Sequence, residues 1–92
     1  MDGVDGIFEG PFDLSISMGI PGQFDHPDFV SALKNVQNAC KNAGKFCMIF
    51  AGAPAAVAER FQQGYDAVAY GLDAAVLVAA YKANLADIRS KI

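Results

Sequence analysis

Few side chains in this sequence are equipped for chemistry, and the first of them lie close together. Asp13 follows a Gly10-Pro11 turn that closes a short apolar run, Val4-Asp5-Gly6-Ile7-Phe8-Glu9. A carboxylate set just past the C-terminal end of a buried strand is where α/β barrels keep their reacting groups. Its oxygens suit a hard divalent cation such as Mg²⁺ or Mn²⁺. Asp13 also suits a plainer task, because Asp ahead of Leu14-Ser15-Ile16 is a good helix N-cap. Gly10 and Phe12 flank Pro11, and their backbone N–H groups are placed to meet a substrate carboxylate as helix N-termini do. An ordinary tight turn accounts for the same two residues. Glu9 stands four positions before Asp13. Either the two share a metal, or Glu9 is a strand-end carboxylate that faces a basic group or solvent.

The remaining candidates point to structure. His26 is the sole histidine, and it directly precedes Pro27, where helix capping is a simpler role than proton transfer. A lysine that forms a Schiff base with a substrate needs a place at the C-terminal mouth of a strand. Lys45 falls at an N-terminal end, the face of a barrel associated with stability, so that mechanism is set aside. Cys40 and Cys47 lack metal-ligand spacing and sit in apolar patterns, which reads as a pair of reduced, buried thiols. Asp5, Asp66 and Asp73 occupy strand starts or a first helical turn, which are structural places.

The elements that must position these groups come in repeated units. Gly3-Val4-Asp5 and Gly64-Tyr65-Asp66 open two similar stretches; in each a second Gly follows seven residues after the first, then an Asp two or three residues later. Val4 to Glu9 reads as a strand covered on both faces, followed by a short helical turn over Asp13 to Met18 and a Gly/Pro loop over Gly19 to Asp25. Pro27 suits a first helical position, and Phe29, Leu33, Val36 and Cys40 form one apolar stripe on a helix closed by Gly44. Lys45 to Ala51 is a second buried strand, Pro54 to Gln63 a short helix, and Tyr65 to Tyr70 a third strand. Leu72 to Lys91 is a long last helix, with Asp73 in its first turn and Arg89 and Lys91 in its last. Three strands alternating with helices predict an α/β fold with a parallel sheet.

Composition bounds the partners. Of the 92 residues 53% are hydrophobic and only 18% charged, against about 25% charged in soluble domains generally, so the chain resembles a piece of a larger interior. A net charge of −3 with scattered basic residues gives no footprint for nucleic acid. No helix carries a Lys/Arg-rich amphipathic face, and the apolar runs fall short of the roughly 18 residues of a membrane span. No basic region followed by an apolar core opens the sequence, so a cytoplasmic location is expected. Three parallel strands leave two unpaired edges, so a homo-oligomer is expected too.

These motifs together resemble a known family. Val4-Asp5-Gly6-Ile7-Phe8, Gly10-Pro11-Phe12-Asp13-Leu14-Ser15, Met18-Gly19, His26-Pro27, Ala43-Gly44-Lys45 and Gly71-Leu72-Asp73 are similar, in this order, to the HpcH/HpaI aldolases. The resemblance implies metal-dependent (class II) pyruvate aldolases that cleave 4-hydroxy-2-oxo or 2-keto-3-deoxy acids to pyruvate and an aldehyde. It implies a TIM (β/α)₈ barrel, of which residues 1–92 would be a single partial domain, the last three βα units, with the five N-terminal units lying outside them. It implies that Asp13 is one of two protein carboxylates on a Mg²⁺ or Mn²⁺ ion. It further implies that backbone at Phe12 and Asp13 meets the 2-keto acid, with Gly10 beside them as the turn's own geometry suggests. The second ligand, a glutamate, the general-base histidine and an arginine belong upstream in the family, so no catalytic residue is assigned here. Glu9 departs from the pattern, which has an aliphatic residue there. The rival reading is a non-catalytic fragment or assembly module that keeps the fold without the reaction; an acyl-CoA-linked lyase of the citrate lyase type fits the Gly10–Ser15 motif less well.

Overall fold

A computed structural model of the chain describes residues 2–92. Three strands, β1 (Gly6–Glu9), β2 (Phe46–Ala51) and β3 (Ala67–Tyr70), alternate with four helices. These are α1 (Pro11–Ser17) and α2 (Pro27–Ala43) after β1, α3 (Pro54–Gln62) after β2, and α4 (Asp73–Ser90) after β3. The sheet runs β1-β2-β3 and both pairings are parallel, Glu9 opposite Ile49 and Ile49 opposite Val68. The fold is therefore α/β, as the alternation of patterns predicts.

Local chemistry sets the boundaries. Pro11, Pro27 and Pro54 each begin a helix, where a fixed φ is pre-organised and the missing N–H would have no partner in any case. This moves the start of α1 to Pro11, two residues ahead of the Asp13 expected from sequence. Gly44 ends α2 in the left-handed region at φ 66°, and Lys45 N–H donates to the Cys40 carbonyl at 2.8 Å, so the last carbonyls of the helix are satisfied. Gly6 is required for a different reason: a Cβ there would lie 2.7 Å from the Phe46 carbonyl oxygen of the neighbouring strand.

The strands are shorter than the hydrophobic runs suggest. Tyr65 N–H closes the end of α3 on the Arg60 carbonyl, and the Asp66 carboxylate accepts from Cys47 N–H at 2.8 Å. Both residues thus serve their neighbours ahead of β3, which begins at Ala67. Asp66 has the structural role its position implied.

Only one face of the sheet is covered. Phe29, Leu33 and Cys40 of α2 pack with Cys47 and Ile49 of β2 and with Tyr65, and Leu14, Met18, Ile20, Val36 and Val68 surround them. The opposite face carries Phe8, 56% exposed, with Met48 and Phe50 half-buried. Coverage on both sides, expected for β1 from its composition, is not met, because every helix that packs on this sheet lies on one side. α4 buries none of its residues, and the molecule extends 60 Å along its longest axis.

Candidate metal and substrate site

The Gly10–Asp13 turn forms where β1 stops. Gly10 is the N-cap of α1 with extended backbone, and Leu14 N–H donates to its carbonyl at 3.0 Å. No side chain caps this helix. The N-cap alternative for Asp13 is therefore corrected: Asp13 sits inside the first turn, because Pro11 starts the helix two residues earlier. Its carboxylate is exposed and folds back over Gly10, where a Cβ would stand 3.4 Å from Oδ2. Pro11 is buried and Phe12 exposed, so the turn presents the Asp13 carboxylate and a ring together at the C-terminal end of the sheet. A free carboxylate there is suited to a hard cation.

Ser15 holds this turn, and sequence reasoning passed over it. It is fully buried, its Oγ–H donates to the Phe12 carbonyl at 2.6 Å, and its Oγ accepts from Gly22 N–H at 3.0 Å. One hydroxyl thus ties the site turn to the Gly19–Asp25 loop. The signal that was available is the spacing Phe12 to Ser15, since a Ser hydroxyl bonds readily to a carbonyl three residues back.

Glu9 is not brought together with Asp13. Along a strand side chains alternate, and Glu9 points to the same side as Ile7, Cys47 and Ile49, beneath the helices. It is 6% exposed, so the expectation of a solvent-facing strand end is corrected as well. Its Oε2 accepts from Cys47 Sγ–H at 3.9 Å while Oε1 has no hydrogen-bond partner. Burial raises its pKa above the usual carboxylate value, against the lowering influence of the Tyr65 hydroxyl, Arg60 and Cys47. The Cys47 thiol is pushed up to about 12, first by burial, then by the hydrogen bond to Cys40 and the nearby Glu9. Both cysteines are free and buried, as their apolar setting predicts. Burial and Glu9 likewise raise Tyr65.

His26 takes the capping role: its Nδ1 accepts from Asp28 N–H at 3.1 Å at the start of α2. Lys45 precedes β2, at the end of the sheet opposite Asp13. Asp73 Oδ1 accepts from Ala74 N–H in the first turn of α4. Among the described residues no three His, Cys, Asp or Glu side chains converge as a metal-binding group. Asp13 stands alone there, with no second carboxylate, thiol or imidazole grouped with it among the described residues.

Comparison with known proteins agrees with the fold. A hydroxypyruvate/pyruvate aldolase of Chromohalobacter salexigens is 40% identical over 75 residues, which is 82% of this chain and 30% of that protein. A 5-keto-4-deoxy-D-glucarate aldolase of Salmonella arizonae is 38% identical over 90 residues, covering 98% of this chain and 35% of the relative. The crystal structure of an HpcH/HpaI aldolase/citrate lyase family protein from Burkholderia cenocepacia superposes with a TM-score of 0.91 at 38% identity, over 96% of this chain and 34% of that one. The chain spans about a third of the length of each of these relatives; the first two are aldolases and so lyases, and the third is a TIM barrel. The sequence model of the HpcH/HpaI aldolase/citrate lyase family matches residues 1–80, and the chain belongs to that family.

Proposed function

We propose that this chain is the C-terminal, three-unit portion of a class II pyruvate aldolase acting on 4-hydroxy-2-oxo or 2-keto-3-deoxy acids. The observation that carries this reading is the Gly10–Ser15 turn: it ends a parallel strand at the sheet's C-terminal edge and leaves the Asp13 carboxylate exposed and free of any capping bond. Asp13 is the residue that would hold Mg²⁺ or Mn²⁺. Such an ion supplies Lewis-acid stabilisation of the enolate left by C–C cleavage. The backbone N–H groups of Gly10 and Phe12 orient the 2-keto acid carboxylate, while Pro11 between them has no N–H to offer. Ser15 keeps the turn in shape from below through its two hydrogen bonds.

The proton-transfer group comes from outside these residues, since His26 is engaged as a cap. The protein works in the cytoplasm, without nucleic acid or membrane as partner, and as a homo-oligomer. The apolar, exposed surface of α4 and the open side of the sheet support that last point. The same surfaces favour the second reading, an assembly module that keeps the fold without the reaction.

The experiment is a pyruvate-release assay with Mg²⁺ and a 4-hydroxy-2-oxo acid. It uses the chain alone, the chain mixed with the five N-terminal units of a relative's barrel, and the same mixture carrying Asp13→Ala. Activity is expected only in the mixture with Asp13 intact. Activity of the chain alone that survives Asp13→Ala overturns the reading, and an inactive mixture that still assembles supports the assembly module.

A further inference from the structure

Glu9 is the one acidic residue among those described that the fold buries, and the aldolase chemistry proposed above makes no use of it. Its surroundings are short of donors. Cys47 of β2, with Cys40 of α2 beside it, offers one weak thiol donor at 3.9 Å; Tyr65, ahead of β3, offers a hydroxyl. Arg60 of α3 acts on Glu9 through its charge, but its guanidinium donates to Gln63 Oε1 at 3.1 Å, and no Arg60 ion pair within 4.0 Å is found among the described residues. Asp66 adds a further negative charge near Cys47.

An ionised carboxylate presents about four acceptor positions. Here Oε1 meets no donor at all. A buried charge so poorly paired is costly, and the neutral acid fits the same space with less to satisfy. Tyr65 also lines a groove of about 620 Å³ between α2 and α3, which gives the proton a route outward.

The position matters as much as the burial. Glu9 is the last residue of β1, paired with Ile49, and the next residue, Gly10, is the N-cap of α1 whose carbonyl holds Leu14 N–H at 3.0 Å. No slack separates the buried carboxyl from the turn that carries Asp13.

We propose that Glu9 is a protonation latch on this turn: as a neutral acid it pins the C-terminal end of β1 between sheet and helices, and on losing its proton to solvent it loosens the Gly10–Asp13 turn. The latch is a property of the fold and does not depend on the metal or the aldol reaction.

The test uses the chain labelled with ¹³C at the glutamate carboxyls. Only Glu9 and Glu59 carry the label, and loss of one signal in Glu9→Gln assigns the other. Glu9 is expected to titrate above 4.5, its ordinary value, while the chain stays folded. Across that midpoint Leu14 amide exchange should rise roughly tenfold more in the wild type than in Glu9→Gln, which has no proton to lose. A Glu9 midpoint at or below 4.5 in the folded chain overturns the proposal. So does Leu14 protection that follows one pH course in both proteins. Should Glu9→Gln fail to fold, the wild-type titration decides alone, and neither measurement depends on metal or substrate.

Discussion

Helices α2 and α4 are nearly equal in length, 17 and 18 residues, yet they stand in opposite relations to the rest of the chain. α2 gathers its apolar side chains into one stripe, and Phe29, Leu33 and Cys40 vanish into the core against Cys47 and Ile49. α4 also lines Leu77, Tyr81, Leu85 and Ile88 along one face, at i, i+4, i+8 and i+11, yet it buries none of them. An apolar stripe of this kind is built to lie against another surface. The difference teaches that α2 finds its partner within these residues and that α4 is shaped for a surface they do not supply.

The sharpest way to break this comparison is truncation in each helix. Phe29→Ala should cost about 3–5 kcal/mol, since Phe29 is essentially unexposed and a cavity replaces it. Leu77→Ala should stay within about 0.5 kcal/mol in dilute, monomeric protein, because Leu77 touches mostly solvent. Urea denaturation measures both, and equal costs would mean that α4 packs on the core after all. Light scattering adds the complementary reading. Association that weakens in Leu77→Lys supports an interface on α4, and a stable 9.7 kDa monomer for the wild type removes it.

Ser15 extends the comparison to the site. Ser15→Ala removes the hydroxyl that joins Phe12 to Gly22, at an expected cost of about 1–3 kcal/mol in the same assay. A smaller cost would show that the Gly19–Asp25 loop is held by other means. The helix ends give a finer contrast. Gly44→Ala puts a Cβ into the left-handed region at φ 66° and should cost about 1–2 kcal/mol, while Lys91→Ala, at a right-handed cap, should change little.

Much of this organisation was legible because it rests on local rules. Proline at helix starts, glycine after α2 and the Phe29-Leu33-Val36-Cys40 spacing each depend on a few neighbouring residues. The turn at Gly10–Asp13 was legible for the same reason. Glu9 was not. Both faces of its strand carry apolar residues, so the sequence does not say which face the helices cover. Ser15 escaped because its second partner, Gly22, comes back to it only through the path of a loop.

A smaller effect separates the latch from ordinary packing. The folded-state pKa of Glu9 is raised, mainly by burial, so its stabilising contribution is complete below 4.5 and is lost as pH climbs through the folded value. Wild-type stability should therefore fall over that window, and Glu9→Gln should flatten the slope and equal or exceed the wild type at neutral pH. Urea midpoints at several pH values check this, and parallel curves for the two proteins would contradict it.

The central claim is that Asp13 is a metal ligand and not a fold element. Isothermal titration of Mn²⁺ into the chain, with and without oxalate as a stand-in for the enolate of pyruvate, tests it most directly. One carboxylate plus waters binds weakly, and Mg²⁺-type sites gain by adding ligand oxygens. Oxalate should therefore tighten Mn²⁺ binding to the wild type, and Asp13→Ala should abolish that gain while leaving the urea midpoint nearly unchanged. Equal Mn²⁺–oxalate affinity in both proteins would contradict the account.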